Sequence, residues 1–342
     1  MKFEHLYIES MGYSLPHNSV SSVDIEKRLA PLYQKLGLPE GRLELMTGIK
    51  ERKVWPIGTN PSALSTEAAL NCLSKSTIKK EEIDLLIHAS VCRDFLEPAT
   101  ASVIHAELGL SPEAMIFDLS NACLGVINAI VVAGNMIERG QIKNALIVSG
   151  ENGGPLLEHT IHELLTNETI TRKSVKKYIA NLTIGSAATA ILLTSTPKNM
   201  ALKIIGGAVL TDSSANHLCR GDGNTHSLVM ETDSEELLKY GIELGKKTWK
   251  KFLEETKWTP EQVDVVLTHQ VGSAHEQLSL SSLELSHKRT FKTYPTLGNT
   301  GSSALPITLM KALESGTLKQ NDHCALLGIG SGLSSIMLGV KC

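Results

Sequence analysis

The chain has 342 residues, and its 33 lysines and arginines against 36 aspartates and glutamates leave a formal net charge of -3. No long run is dominated by one sign, which excludes a nucleic-acid surface or an acidic interaction tail, and the length suits two similar halves. The opening segment "MKFEHLYIES" has no apolar core or cleavage site, and no apolar run approaches spanning length, so the expectation is a soluble, cytoplasmic protein without a membrane span.

In chain order, "IDLLIHASV" reads as a buried strand. It is followed by "VCRDFLEPATASVIHAELG", a loop into a helix, with Glu97 flanked by the apolar Phe95, Leu96 and Pro98. "AMIFDL" reads as a further buried strand, and "GVINAIVVAGNMIERG" has apolar residues at helical spacing and stops at Gly140. Cys123 falls at the turn between them. "ALIVSGE" and "AATAILLTS" are strand-like, and between them an insertion over about 153–183 carries amphipathic helical patterns. The second half repeats the alternation with "ALKIIGGAVL", "VDVVLTHQV", "RTFKTYPTL", "CALLGIGSG" and "SSIMLGV".

The repeat is visible in the residues. "EEIDLLIHASV" (81–91) matches "EQVDVVLTHQV" (261–271), and "ERGQIKNALIVSG" (138–150) matches "ESGTLKQNDHCALLGIG" (314–330), offsets of about 180 residues that indicate two copies of one α/β unit. Superposing the copies sets Cys123, His269 and Asn299 at equivalent strand ends, where ligands bind in open α/β sheets.

Each candidate has an ordinary alternative when taken alone. Cys123 can be a core-filling thiol, or a nucleophile at a helix N-terminus, where the dipole favours the thiolate. His269, in "VVLTHQVGSAH", can be structural, and Asn299, in "LGNTGSSALP", a turn residue. Together they supply one nucleophile and two hydrogen-bond donors, the needs of acyl transfer with a second oxyanion. The glycines of "LLGIGSGL" form either a plain hairpin or a backbone held against a thioester carbonyl, with the Ser331 and Cys123 N–H groups as oxyanion donors. Glu97 is either a solvated loop carboxylate or, beside a dry cavity, a base of raised pKa.

The six cysteines (Cys72, Cys92, Cys123, Cys219, Cys324, Cys342) lack CxxC spacing and the histidines make no ligand pattern, so free thiols and no structural metal are expected. "HTIHELLT" lacks the second histidine of a zinc-protease motif, and "GIGSG" lies too near the C-terminus to open a dinucleotide-binding unit.

"TGIKERKVW", "SNACLG", "THQV", "GNTGSSALP" and "LLGIGSGL", in that order across nearly the whole chain, resemble the ketoacyl synthase III branch of the thiolase superfamily. Within it, "SVCRDFLEPATAS", "DLSNACLGVIN", "HLCRGD" and "GNTGSSALP" are similar to the OleA family, acyl-CoA-condensing enzymes of bacterial long-chain olefin biosynthesis. The resemblance implies a thiolase-like duplicated α/β fold of five layers, αβαβα, with a helical cap. Residues 1–197 would form the half with Cys123 and the cap, and 198–342 the half with His269 and Asn299. It also implies a cofactor-free acyltransferase in which Cys123 is acylated by fatty acyl-CoA, His269 and Asn299 bind the second oxyanion, and the amides of Ser331 and Cys123 hold the acyl oxygen. Glu97 would be the base, reaching the site from the other subunit of a homodimer.

A carboxylate base favours a non-decarboxylative Claisen condensation giving a β-keto acid or thioester. Arg42 and Met46 stand where the synthases that start fatty-acid synthesis carry, in that order, a tryptophan and an arginine to clamp coenzyme A, which leaves the mode of coenzyme A binding and the thioester carrier, acyl carrier protein included, open. The alternatives are a decarboxylating synthase III using malonyl-acyl carrier protein, a degradative thiolase, disfavoured because Gly328 stands where its second cysteine would lie, and a degenerate acyl-binding subunit.

Overall fold

The structure is a computed structural model that describes residues 1–198, 201–224 and 227–342. Its strands are β1 (Tyr7–Ser14), β2 (Asn18–Ser21), β3 (Glu51–Val54), β4 (Leu85–His88), β5 (Met115–Asp118), β6 (Asn144–Glu151), β7 (Ala187–Thr194), β8 (Leu202–Thr211), β9 (Cys219–Asn224), β10 (Ser227–Thr232), β11 (Val265–Thr268), β12 (His323–Gly330) and β13 (Ser334–Lys341). Nine of them form one mixed sheet in the order β11-β12-β13-β8-β1-β7-β6-β4-β5, and β2–β3 and β9–β10 make two small antiparallel ribbons.

The sheet order contains the duplication. From the centre outwards, β1-β7-β6-β4-β5 on one side mirrors β8-β13-β12-β11 on the other, with β4 parallel to β6 as β11 is to β12. Equivalent strands begin in equivalent ways: the Asp84 carboxylate accepts the amides of Lys143 and Asn144, and the Asp264 carboxylate accepts that of His323. At the outer edge of the second half, "RTFKTYPTL" is not the strand expected. It contributes one bridge, Arg289 to Val265, and then a short helix, Tyr294–Leu297, because Pro295 favours the first turn of a helix over a strand.

Alternation along the strands builds five layers. Leu85, Ile87, Ile147, Ile191 and Leu193 of the first half join Val265, Leu267, Leu326, Ile336 and Leu338 of the second in one core with the helices Gly125–Glu138 and Ala304–Glu314. The intervening residues face outwards. Leu86, Leu146 and Val148 pack under the helices Pro61–Leu73 and Thr100–Leu108, while Val266, Ala325 and Met337 pack under Ser234–Thr256 and Ser273–Ser282. The two halves of the sheet therefore face each other across the central helices, and only two residue pairs join β1 to β8.

One further detail differs from the expectation. β5 is the edge strand, with Met115 53% exposed, so "AMIFDL" is not buried within one chain; a hydrophobic run alone does not distinguish a central strand from an edge. The insertion, with helix Gly154–Thr166 and two short 3-10 turns, packs against the N-terminal helices. Leu157, Ile161, Leu164, Val175 and Leu182 form a satellite core with Ile25, Leu29, Leu32 and Leu43 from near the N-terminus. Among the described residues no helix is long and apolar enough to cross a membrane.

Candidate active site

Cys123 lies between β5 and the helix Gly125–Glu138, as the sequence indicates. Ala122 before it has φ 47, a left-handed conformation unusual for a residue with a Cβ, so the turn that presents the thiol is held under local strain. Gly125 packs against the Ala89 carbonyl and the Ser302 side chain, and any Cβ there would crowd both. The same contact brings the loop after β4 and the loop after Asn299 to the foot of the helix that follows Cys123.

The electrostatics overturn one expectation. The Cys123 thiol is partly open but enclosed by protein, and burial, then the Glu151 carboxylate, then Cys219 push its pKa up to about 12. Desolvation and a neighbouring negative charge outweigh the helix dipole here, and the free chain holds the thiol protonated. His269 is shifted the other way. Burial, followed by His275, pulls it down to about 4, which leaves a neutral imidazole at physiological pH. Its Nδ1 is buried without a hydrogen-bond partner. Both groups are thus uncharged at physiological pH.

Asn299 is fixed from two sides. Its N–H donates to the Thr183 carbonyl at 2.9 Å, its carbonyl accepts the Gly185 N–H at 2.9 Å, and its side-chain Oδ1 accepts the Gly301 N–H at 3.1 Å. The end of the cap insertion is therefore joined directly to the Asn299 loop. Gly185 is required there, since a Cβ would lie 1.9 Å from the Leu297 carbonyl oxygen. Gln270, fully buried beside His269, accepts the amides of Thr293 at 2.8 Å and Tyr294 at 3.2 Å, which ties the His269 turn to the segment leading into Asn299. Beneath lies Arg52 of the "TGIKERKVW" segment, fully buried, with its guanidinium on Ser22 and the Val20 carbonyl. Burial lowers its pKa to about 10.

The second-half glycine loop reaches the same place. At Gly330, which ends β12, a Cβ would stand 3.0 Å from Leu124 and 3.6 Å from the Cys123 amide nitrogen, so the turn Ser331–Leu333 that closes the β12–β13 hairpin begins beside Cys123. Loop and hairpin are here one structure. Glu97 is not brought to Cys123 within the chain. It is exposed at the tip of a loop on which Leu96 is 92% and Phe95 52% exposed, so no dry cavity of its own subunit surrounds it. The root of that loop is held firmly: Val91 and Cys92 donate to Glu151, Asp94 accepts the Ser62 amide, and Asp118 accepts the amides of Thr100 and Ala101.

Glu151 itself was not among the residues that pattern reading singles out. It is 4% exposed at the end of "ALIVSGE", and a mostly apolar strand that finishes on an acid was the available signal, since a carboxylate is seldom buried unless hydrogen-bonded.

Family models of 3-oxoacyl-[acyl-carrier-protein] synthase III match residues 117–213, and a model of its C-terminal region matches 253–341. Over the full length the chain is 40% identical to an acyl-CoA:acyl-CoA alkyltransferase of Shewanella oneidensis, with 100% of each chain covered, and 36% identical to one of Xanthomonas campestris, with 99% of each covered. The chain belongs to the OleA family of acyl-CoA:acyl-CoA alkyltransferases. Crystal structures of Xanthomonas campestris OleA superpose with a TM-score of 0.95 at 34% identity, covering 100% of this chain and 98% of theirs. One OleA variant, solved with lauric acid and lauroyl-CoA, superposes at 0.94 and 35% identity, covering 99% and 100%. A β-ketoacyl-[acyl-carrier-protein] synthase III of Clostridium tetani is more distant, 27% identical with 98% and 97% covered. The OleA family thus accounts for the duplicated five-layer fold as well as for the motifs.

Proposed function

We propose that this chain is a cytoplasmic acyltransferase that joins two fatty acyl-CoA molecules by non-decarboxylative Claisen condensation, working as a homodimer. Residues 1–197 supply the nucleophile and the cap over 153–183, and residues 198–342 supply His269 and Asn299. In the first half-reaction the Cys123 sulfur attacks the thioester carbonyl of acyl-CoA. The S–H proton leaves with the coenzyme A thiolate, while the amides of Cys123 and Ser331 hold the acyl oxygen. The raised pKa keeps the thiol protonated and slow to oxidise before substrate binds, and it works against attack, which needs the proton to be lost to the leaving coenzyme A thiolate as the carbon–sulfur bond forms.

In the second half-reaction the carboxylate of Glu97, from the other subunit, removes the α-proton of a second acyl-CoA. The neutral His269 and the Asn299 amide donate to the enolate oxygen. The α-carbon attacks the acyl-cysteine carbonyl, the carbon–sulfur bond breaks, and the Cys123 thiol re-forms as β-ketoacyl-CoA is released, or the β-keto acid after hydrolysis.

The observation that carries this reading over a decarboxylating one is Glu97. It stands on a loop rooted by buried carboxylates whose apolar tip projects from the chain, next to the unpaired edge strand β5, which is how a residue destined for a second subunit would be presented. OleA of Xanthomonas campestris has been solved with a cysteine replaced and with a glutamate replaced, and the same number of residues separates those two positions as separates Glu97 from Cys123. Product analysis by mass spectrometry tests the proposal: acyl-CoA alone is expected to yield a β-keto product. Turnover only on addition of malonyl-acyl carrier protein would assign the decarboxylating reaction instead.

A further inference from the structure

Glu151 has no part in the chemistry just described, yet it is the most heavily engaged buried carboxylate near Cys123. Its Oε1 accepts the Val91 N–H at 3.0 Å and the Ser302 N–H at 3.1 Å, and lies 2.7 Å from the Ser302 hydroxyl. Its Oε2 accepts the Cys92 N–H at 3.3 Å. Gly301, with φ +58, lies against the carboxylate so closely that a Cβ would stand 2.9 Å from its carbon. Ser302 also lies 2.7 Å from the Ala89 carbonyl and 2.8 Å from Ser149 Oγ, and Ser303 extends the hydroxyl chain to Ser149 and Thr189. One side chain thus grips two loops from opposite halves of the molecule. One begins at Val91 and carries Glu97; the other contains Asn299. In the internal repeat Glu151 is the first-half counterpart of Ser331.

We propose that Glu151 is a positioning residue for the condensation step, which holds the Asn299 loop and the root of the Glu97 loop at a fixed separation beside Cys123 without touching substrate. The inference rests on the reaction assigned above and adds to it a residue that acts through others. No hydrogen bond runs from Glu151 to the Cys123 loop, so acylation has little need of its grip, while condensation uses both loops that it holds. Misplacing a catalytic group by about 1 Å costs on the order of a hundredfold. Its charge also lies near the thiol and is one cause, after burial, of that group's raised pKa.

Two variants separate grip from charge. Glu151→Gln keeps the shape, turns an NH2 group towards a backbone N–H and removes the charge; Ser302→Ala leaves the charge and removes the hydroxyl with its contacts to Glu151, the Ala89 carbonyl and Ser149. Each is assayed as purified full-length protein for acyl-enzyme formation by intact mass and for β-keto product from acyl-CoA. Cys123 alkylation by iodoacetamide at pH 8.5 is read at the Cys123 peptide. For both variants, condensation is expected to fall by about tenfold or more, while acylation falls by no more than about threefold. Alkylation is expected to be faster in Glu151→Gln than in wild type and unchanged in Ser302→Ala, because only the first removes the charge that helps to raise the thiol pKa. Equal losses in the two half-reactions, undiminished condensation, or alkylation rising alike in both variants would overturn the proposal. If Glu151→Gln fails to fold, Ser302→Ala alone decides through the split between half-reactions. The alkylation arm needs no condensation at all, so an error in the assigned reaction shows as absent product from wild type and is not confused with an error about Glu151.

Discussion

Asn299 Oδ1 accepts the backbone N–H of Gly301 at 3.1 Å, and this one bond orients the whole side-chain amide. The oxygen is used within the loop, and the NH2 group is left to donate to a substrate oxygen. Asn299→Asp keeps the shape and the loop bond but sets an acceptor where the donor stood. Acylation of Cys123 is expected to continue at about the wild-type rate, with condensation down by on the order of a hundredfold or more. Intact-mass kinetics and product analysis, run side by side, check the split, and His269→Ala is expected to behave likewise. A variant that loses both half-reactions in equal measure would show that the residue serves the first step.

Cys123→Ala is expected to leave the fold intact, since alanine fills much of the space of the thiol, and to form no acyl adduct with acyl-CoA. An adduct that persists on this variant would move the nucleophile to another of the free cysteines.

Glu97→Gln is expected to form the acyl-enzyme normally and to fail in α-proton removal, because the amide cannot accept the proton. Mixing Glu97→Gln with Cys123→Ala subunits creates sites that combine an intact cysteine with an intact glutamate, so part of the activity missing from either variant returns. Gel filtration before and after mixing reports whether subunits exchange. Exchange without recovered activity would place the base on the same chain as the nucleophile.

The shift at His269 makes stability depend on pH with a definite sign. Its pKa in the folded chain, about 4, lies below the 6.5 of a free histidine, so the folded state binds this proton less readily than the unfolded one. Its contribution is fully present above about pH 6.5 and is lost as the pH falls towards 4, amounting to about 3 kcal/mol across that window. Urea unfolding of wild type and His269→Asn at pH 7 and pH 4.5 is expected to show a smaller acid loss in the variant. Parallel losses would mean that the imidazole is not the group titrating.

Most strands were legible because a run such as "ALIVSGE" or "AATAILLTS" is buried on both faces, and the repeat could be read because equivalent strands keep the same pattern. Periodicity reports burial tendency and says little about position in a sheet, so β5 and "RTFKTYPTL" were read alike, although one is an edge strand and the other mostly a turn and a short helix. The apolar neighbours of Glu97 suggested a cavity, but Leu96 and Phe95 point away from their own chain, a matter of tertiary direction. For Cys123 the local rule about helix ends was outweighed by burial and by a carboxylate 28 positions downstream in the chain. Glu151 escaped notice for the same reason, since its partners lie at Val91, Cys92 and Ser302.

The hydroxyl and carboxylate contacts around Ser302 have a consequence for how the protein is made. Ser302 and Glu151 are 151 positions apart, and Ser303 and Ser149 are 154 apart. Contacts of such separation form late, because a long loop must close before they return any free energy. During synthesis the segment with Cys123 and Glu151 exists well before Ser302 has been added, and at that stage Glu151 has only Val91 and Cys92 to bind. The Asn299 loop, the His269 turn and the Gly330 turn arrive afterwards, with the last strands and the second central helix. A nascent chain therefore carries Cys123 before any of the second-half segments that surround it, and the proposed condensing centre is assembled only once the last strands have been added.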